Sequence, residues 1–244
     1  MAYKHKFFLL IASFLLSYFC YGQKETSSTL PGTGQMEEIE LAPKNVHPKA
    51  KKLLKESFYW SSIDPTGPLG SDEGSDAFYG FRQWRLTNKS TSPLSYLDEL
   101  IRSWDFPKFD LNELDTVKIK EYITAKSNTN SEIFNNTVLM EQFRQIAKDS
   151  GSEFSEEQFK ELITTISGGM GETFLTGIDN AIIGVGFGQF VLEGKIDEDI
   201  KALTQTAIKR ELLPILLEKW TNEYQASRVN QLNQMLKVLD KMNL

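Results

Sequence analysis

The chain has 244 residues, 40% of them hydrophobic, and a formal net charge of −6. This length is sufficient for one domain with its own hydrophobic core. Because the charge is acidic, the phosphate backbone of nucleic acids is not an expected partner. One cysteine and two histidines are too few for cysteine-based zinc sites or histidine-rich metal sites, so we predict no metal and no cofactor.

Residues 1–22 have the features of a signal peptide. Lys4 and Lys6 precede an apolar run over residues 7–19, and Gly22 ends a small-x-small cleavage pattern. The apolar run is too short for a comfortable membrane span. We therefore expect cleavage after this site and export to the periplasm or the medium.

A lipoprotein signal is the rival interpretation of the same segment. Phe19 and Ser17 stand where a small and a leucine-like residue usually precede the lipidated cysteine, so Cys20 is not predicted to carry a lipid. Cleavage removes Cys20, so the mature chain would have no thiol nucleophile. It also removes His5, which leaves His47 as the one histidine that a Ser-His-Asp triad could use. Without the two lysines of the signal, 25 basic residues face 33 acidic ones, a net charge of about −8.

The segment after the cleavage site is predicted to be a flexible tether. Residues 23–46 are polar, contain a Pro-Gly-Thr-Gly sequence and an acidic run, and keep neither a helical nor a strand period. The predicted organisation is therefore a signal peptide over 1–22, a tether over 23–46 and a folded domain over 47–244.

Helix-start signals recur along this domain as capping side chains and as prolines at a first helical position. They occur at Pro48, Ser71, Ser92, Asp110 or Asp115, and Ser155. Further helical patterns begin at Ser131 and at Asp197. The first helix is expected to bury Leu53, Leu54, Phe58 and Tyr59, and a turn-rich loop follows over 61–70. Stop signals lie at 127–130, Gly151, 167–169 and Gly194, and Pro214 breaks the last pattern. The C-terminal stripe of Val229, Leu232, Leu236 and Leu239 predicts a helix that packs on the body.

Residues 172–193 are the most apolar stretch of the predicted mature chain. As a helix, they place Gly177, Ala181, Gly184 and Gly188 on one face, at steps of four, three and four. A helix that is apolar nearly all round is usually buried. Its four glycines cost roughly 1 kcal/mol each, so close approach of neighbouring helices to the small stripe is the expected compensation.

This stretch has two other interpretations besides a helix. The alternation over 184–190 also suits a short strand with glycines on one face. A membrane span is disfavoured because Asp179, Asn180 and Gln189 lie inside the stretch. We predict an all-α protein, a single helical domain of about eight or nine helices with a buried glycine-rich central helix.

The densest acidic group of the domain consists of Asp64, Asp72, Glu73 and Asp76, close to several glycines. Calcium would suit such oxygen ligands, but the EF-hand spacing is absent. Helix capping explains these acids equally well, because Ser71 can cap a helix whose first turns they occupy.

We predict no catalytic residue, and Glu56 is the candidate that an enzyme would use as its catalytic carboxylate. Glu56-Ser57-Phe58, followed by a Gly-Pro-Leu-Gly sequence ending at Gly70, is similar to the catalytic segment of exported helical lytic transglycosylases, in which one glutamate acts as acid and base on peptidoglycan. The usual Gly-Leu-Met-Gln element is replaced here by Ser71-Asp72. The lysines that precede Glu56 favour an exposed helix face rather than the apolar pocket such a glutamate needs.

Aromatic and basic residues near these acids could contact a partner. Trp84 and Trp104 lie on apolar stripes and are expected in the core, whereas Trp60, beside the turn-rich loop, is the best candidate for an exposed aromatic. Arg82 and Arg85 flank Trp84 and could clamp an acidic group. The predicted binding residues are Trp60, Asp72, Glu73, Asp76, Arg82 and Arg85.

Residues 67–78, Gly-Pro-Leu-Gly-Ser-Asp-Glu-Gly-Ser-Asp-Ala-Phe, resemble the opening of a small uncharacterised bacterial domain with the pattern Gly-Pro-Phe-x-Asn-Asp-x-Ala-x-Asp. Leu69, Ser71 and Gly74 depart from this pattern. Members are small, acidic and helical, and some have been suggested to be toxin-immunity proteins. The resemblance implies a binding role and transfers no catalytic residue.

These observations predict an exported, non-enzymatic helical protein that binds another protein or an envelope component, with an immunity-type inhibitor as one form. The alternatives are a peptidoglycan-acting hydrolase or lytic transglycosylase with a carboxylate acid and base, and a structural envelope protein. An acidic concave pocket with two facing carboxylates would favour the enzyme, and a flat or convex acidic face with an exposed aromatic would favour protein binding.

Overall fold

The structure, a computed structural model, describes residues 43–104, 106–125, 137–149, 155–157, 159–160 and 170–243. Within these residues it is all-α, with nine α-helices, two short 3-10 turns and no strand, which confirms the predicted fold class. The helices are α1 (Pro48–Leu53), α2 (Asp72–Thr87), α3 (Pro93–Ser103), α4 (Thr116–Thr124), α5 (Thr137–Asp149), α6 (Met170–Glu193), α7 (Glu198–Glu211), α8 (Pro214–Leu217) and α9 (Asn222–Leu239). The 3-10 turns are Pro43–Asn45 and Ser57–Tyr59.

The contacts of the chain divide it into two compact units. One comprises 1–36 and 125–171, and its described part buries Phe143 of α5 against Phe159, with ring centroids 4.5 Å apart. The other comprises 37–124 and 172–244 and contains the main hydrophobic core. The features described below all belong to this larger unit.

The core of the larger unit is organised around α6. From Leu175 to Val191 the helix is buried along its whole circumference except at Thr176, as its apolar composition predicts. The stretch 182–191 is therefore helical rather than extended. Gly194 ends the helix in the left-handed region at φ 66°, a conformation that glycine adopts without strain.

The glycines of α6 let neighbouring helices approach closely, as the spacing predicted. A Cβ atom on Gly184 would lie 2.5 Å from the carbonyl oxygen of Gly74 in α2. A Cβ on Gly188 would lie 2.6 Å from the Phe78 ring of the same helix. The close packing of α2 against α6 offsets the free energy that the glycines cost through their low helix propensity.

Among the described residues, α6 is also the one helix whose length and composition would allow a membrane crossing. In its most apolar window, 83% of the residues are buried inside the fold. Its polar side chains Asp179, Asn180 and Gln189 are buried as well. A core helix accounts for both its apolar sequence and its polar residues.

The predicted helix starts at Pro48, Ser71 and Ser92 are present. The Ser71 hydroxyl accepts a hydrogen bond from the Gly74 amide at 3.1 Å, and the Ser92 hydroxyl accepts one from Leu94 at 3.2 Å. Of the two aspartates proposed to cap α4, Asp115 does so, because its carboxylate accepts the Val117 amide at 2.7 Å. Such bonds satisfy amides that have no partner within the helix.

Three local features differ from the simplest sequence interpretation. Helix α1 ends at Leu53, so Phe58 and Tyr59 reach the core from a 3-10 turn. The C-terminal pattern is broken into α7, α8 and α9, with Pro214 at the first position of α8. The buried stripe of α9 is Arg228, Leu232, Met235 and Leu239, so Val229 and Leu236 are only half-buried. The stop signals at 127–130, Gly151 and 167–169, the start at Ser131 and most of the helix predicted after Ser155 lie outside the described residues.

Candidate functional site

A groove of about 450 Å³ lies between α3, the segment before α4, and α7. Its volume falls within the range of ligand-binding clefts. Four leucines provide apolar surface, and two aspartates, one serine and one asparagine provide polar groups at the rim. The lining residues are Leu94, Ser95, Leu97, Asp98, Leu111, Asn112, Asp199 and Leu203.

The floor and the rim of this groove differ in burial and charge. Leu97 and Leu203 are buried in the floor, whereas Asp98 and Asp199 are exposed. Asp98 pairs with Arg102 on the outer face of α3, and Asp199 accepts a hydrogen bond from the Ser92 hydroxyl at 2.7 Å. None of the eight lining residues is basic. Arg102 lies beside Asp98 on the outer side of the rim, so Asp199 contributes most of the acidic character of the rim.

The wall formed by Leu111 and Asn112 is held from inside the core by Arg210 of α7. The Nη1 atom of Arg210 donates to the Leu111 carbonyl at 3.0 Å and to the Glu113 carbonyl at 2.8 Å. Its guanidinium also lies 5.0 Å from the centroid of the Phe109 ring, a distance typical of a cation–π contact. The groove therefore has one wall whose backbone is fixed by a buried cation.

Arg210 in turn is fixed by Asp179 of α6. The Nε atom of Arg210 lies 3.0 and 3.1 Å from the two carboxylate oxygens, and Nη2 donates to the same carboxylate. Both side chains are fully buried. Burial raises the pKa of the Asp179 carboxyl above its ordinary value, and the Arg210 guanidinium acts in the opposite direction. The central helix is thus connected through one ion pair to the wall of the groove.

The predicted acidic residues lie on α2, away from the lining of the groove. Asp72 and Asp76 are exposed on the outer side of the helix, and Glu73 is half-buried. The Glu73 side chain lies against α6, because a Cβ on Gly177 would be 3.3 Å from its Cγ. Asp64 instead belongs to the loop before α2, where it accepts hydrogen bonds from the amide and the hydroxyl of Thr66.

The predicted aromatic and basic contacts are largely engaged within the fold. Trp60 is half-buried against the core, and its indole donates to the Leu54 carbonyl at 3.1 Å. Arg85 forms an ion pair with Glu193 at 2.6 Å and donates to the carbonyls of Asn88 and Thr91. It therefore ties the end of α2 to the end of α6. Arg82 is half-buried on α2.

The two catalytic candidates, Glu56 and His47, do not lie in the surroundings that their proposed catalytic roles require. Glu56 is exposed at the start of the 3-10 turn. A glutamate that acts as a general acid is instead usually surrounded by an apolar pocket. His47 caps α1, since its Nδ1 accepts the Lys49 amide at 3.2 Å. In the described part of the chain, no three Asp, Glu, His or Cys side chains are grouped so as to hold a metal ion.

Sequence analysis missed the buried charged residues Arg210, Glu211 and Arg228. A signal for them does exist in the spacing. In α7 the buried positions Ile200, Leu203 and Ala207 run at steps of three and four, and the next step falls on Arg210. In α9 Arg228 occupies the first position of the buried stripe. A charge at an apolar-stripe position indicates a buried ion pair, because an unpaired charge there would be costly.

No pattern in the sequence predicts the groove, because its walls come from segments about a hundred residues apart in the chain. Comparison of the chain with protein-family models, with curated proteins and with solved structures finds no significant match in any of the three. The geometry of the groove is therefore the basis for a functional proposal.

Proposed function

We propose that this protein is an exported, non-enzymatic binding protein that holds a short cationic segment of another protein in the groove between α3 and α7. The observation that carries the proposal is the combination of an apolar floor at Leu97 and Leu203 with an acidic rim at Asp98 and Asp199. An apolar side chain of the partner would fill the floor, and a neighbouring Lys or Arg would meet the rim. An immunity-type inhibitor is one form that such a binder can take.

The size and the rigidity of the groove support a peptide segment as the ligand. A volume of about 450 Å³ accommodates a few side chains rather than a helix with its full surface. The wall at Leu111 is fixed by Arg210, and a fixed wall reduces the conformational entropy lost on binding. The acidic rim favours a cationic segment, because complementary charge raises the association rate and disfavours acidic competitors.

The experiment is a selection of random displayed peptides on the full chain, followed by affinity measurements on the enriched sequences. We expect enrichment of peptides in which an apolar residue lies next to Lys or Arg. Their binding should weaken as salt is raised. Neutralising either rim carboxylate, as Asp98→Asn or Asp199→Asn, should weaken binding by roughly two- to five-fold, the effect of an exposed ion pair.

A matched pair of serine variants separates the groove from the rest of the surface. Ser95→Arg introduces a large cation at the exposed rim without touching the core, and should abolish peptide binding. Ser227→Arg makes the same change at an exposed position of α9 and should leave binding unaltered. Peptides that bind the two variants equally well, or a selection that enriches no cationic peptide, would refute the groove as the binding site.

A further inference from the structure

A second polar site lies inside the larger unit, between α7, α8, α9 and the loop before α2. Glu211 of α7 is fully buried, and its Oε2 accepts a hydrogen bond from Nη2 of Arg228 at 3.2 Å. Lys219 Nζ lies 3.9 Å from the same oxygen. The Trp220 ring lies beside these cations, with its centroid 6.0 Å from the Arg228 guanidinium carbon and 5.5 Å from Lys219 Nζ. We call Glu211, Lys219, Trp220, Arg228 and Gln231 the Glu211 cluster.

The cluster is continuous with the loop over 61–70. Arg228 Nη1 donates to the Thr66 carbonyl at 2.7 Å. Gln231, one turn further along α9, donates through Nε2 to Asp64 at 3.2 Å. The cluster therefore joins α7 and α9 to a loop that is more than 140 residues away in sequence.

Several buried atoms of the cluster have no hydrogen-bond partner among the described residues. The acceptors are Glu211 Oε1 and Gln231 Oε1, and the donors are Arg228 Nε and Trp220 Nε1. Glu211 and Arg228 are almost completely excluded from bulk solvent. Buried polar atoms in folded proteins are nearly always hydrogen-bonded, because leaving one unpaired costs the full desolvation penalty of the group.

The mixture of donors and acceptors identifies the chemical class of the missing partner. An anion such as phosphate would satisfy Arg228 Nε and Trp220 Nε1, but it would be repelled by the Glu211 carboxylate and would leave both acceptors unpaired. A metal cation would suit the acceptors and be repelled by Arg228 and Lys219. Water both donates and accepts, and buried waters typically make about three hydrogen bonds to such groups.

We propose that the Glu211 cluster binds ordered internal water, with one or two molecules linking Glu211 Oε1 to Arg228 Nε and to Trp220 Nε1. The ion pair already brings Glu211 Oε2 within 3.2 Å of Arg228 Nη2, so the remaining atoms of the same two groups lie within the span of one or two bridging waters. Lys219, whose side chain is 18% exposed, lies where this site meets the solvent and marks a path for water exchange.

Oxygen-17 magnetic relaxation dispersion on the full chain tests this proposal, because it counts water molecules with long residence times in a protein. The decisive variant is the double change Glu211→Met with Arg228→Met. It removes both charges together, and replacing a whole buried ion pair by apolar residues is better tolerated than stranding one partner. We expect the double variant to hold at least one long-lived water fewer than the parent.

Two further variants keep the test decisive. Trp220→Phe removes one donor and retains an aromatic ring, so it should shorten the residence time of the bound water even if the double variant does not fold. Tyr122→Phe removes a hydroxyl outside the cluster that already donates to the Pro107 carbonyl at 3.0 Å, and it should leave the dispersion unchanged. Unaltered dispersion in a folded double variant, or in Trp220→Phe, would overturn the proposal.

Added phosphate distinguishes a site that binds water from a site that binds an anion. If the site holds water, added phosphate should not raise the melting temperature of the parent more than that of the double variant. A phosphate-dependent rise that the double variant lacks would identify an anion site instead, since a ligand stabilises the state that binds it. A crystal structure with direct protein partners for Glu211 Oε1 and Arg228 Nε would also contradict the proposal.

Discussion

Arg210 contacts both carboxylate oxygens of Asp179 inside the core, at 3.0 and 3.1 Å from its Nε atom, and neither side chain is exposed. The same guanidinium donates to the carbonyls of Leu111 and Glu113. The pair therefore has two roles, since it neutralises a charge in the central helix and fixes the backbone of a groove wall.

Removing only one partner of this pair should be strongly destabilising. Arg210→Met leaves the Asp179 carboxylate buried without a counter-charge, and we expect a loss of about 3–5 kcal/mol in the free energy of unfolding. Urea denaturation measures this loss. The double variant Asp179→Leu with Arg210→Met should recover most of it, because no charge is then stranded.

The double variant should still carry a local defect at the groove. Without Arg210, the carbonyls of Leu111 and Glu113 lose their donor, so amides over 111–115 should exchange with solvent faster than in the parent. Arg102→Met is the control, since it breaks the exposed pair with Asp98 and should change stability very little. An Arg210→Met variant as stable as this control would disprove the role assigned to the buried pair.

Two glycines of α6 should respond in opposite ways to alanine. A Cβ on Gly184 meets the backbone of Gly74 at 2.5 Å, and backbone cannot move aside, so Gly184→Ala should destabilise by about 1–3 kcal/mol. A Cβ on Gly177 meets only the flexible side chain of Glu73 at 3.3 Å. Gly177→Ala should therefore be neutral or stabilising, by up to about 1 kcal/mol of helix propensity. Thermal unfolding of both variants checks this, and equal effects would contradict the close contact at Gly184.

The Tyr59 hydroxyl is buried, and no described residue forms a hydrogen bond with it. Tyr59→Phe should therefore leave stability unchanged or raise it by about 1 kcal/mol, because an unpaired buried polar group is removed. Tyr122→Phe is the matched control, since its hydroxyl donates to the Pro107 carbonyl at 3.0 Å. That control should lose about 0.5–1.5 kcal/mol. A larger loss for Tyr59→Phe than for Tyr122→Phe would show that the Tyr59 hydroxyl has a partner.

Alkaline pH should destabilise the fold through its tyrosines. Burial, with a smaller contribution from Asp76, raises the pKa of Tyr96 to about 12, and burial alone raises the pKa of Tyr122 to about 12. An unfolded tyrosine titrates near pH 10. Between about pH 10 and 12 the unfolded chain therefore binds fewer protons than the folded one, so stability falls as pH rises. Denaturation at several pH values should give a shallower fall for Tyr96→Phe, and an identical slope would contradict the assignment.

Local sequence was sufficient to predict several helix starts and the central helix. Ser71, Ser92 and Asp115 cap helices through bonds to residues two or three positions away, so the information for these starts is contained in a few neighbouring residues. The glycine spacing over 177–188 predicted a face that neighbours approach closely, because the period of a helix fixes which residues share a face.

The predicted site residues show where such local reasoning ends. Trp60 and Arg85 are residue types that often contact a partner. In the fold, however, Trp60 donates a hydrogen bond to the Leu54 carbonyl and Arg85 forms an ion pair with Glu193. Glu193 is more than a hundred residues from Arg85 in the chain, so nothing near Arg85 in the sequence indicates that its charge is used internally.

By itself, the sequence determined the helical class, the buried central helix, the helix caps and the acidic charge of the chain, because each depends on composition or on spacing within a few turns. The tertiary structure decided which charges are buried and where a groove opens. Arg210 meets Asp179 across 31 residues and the groove wall across 99, and such contacts depend on how whole helices pack. Packing alone also places Leu97 beside Leu203, so the proposed binding site exists only in the folded chain.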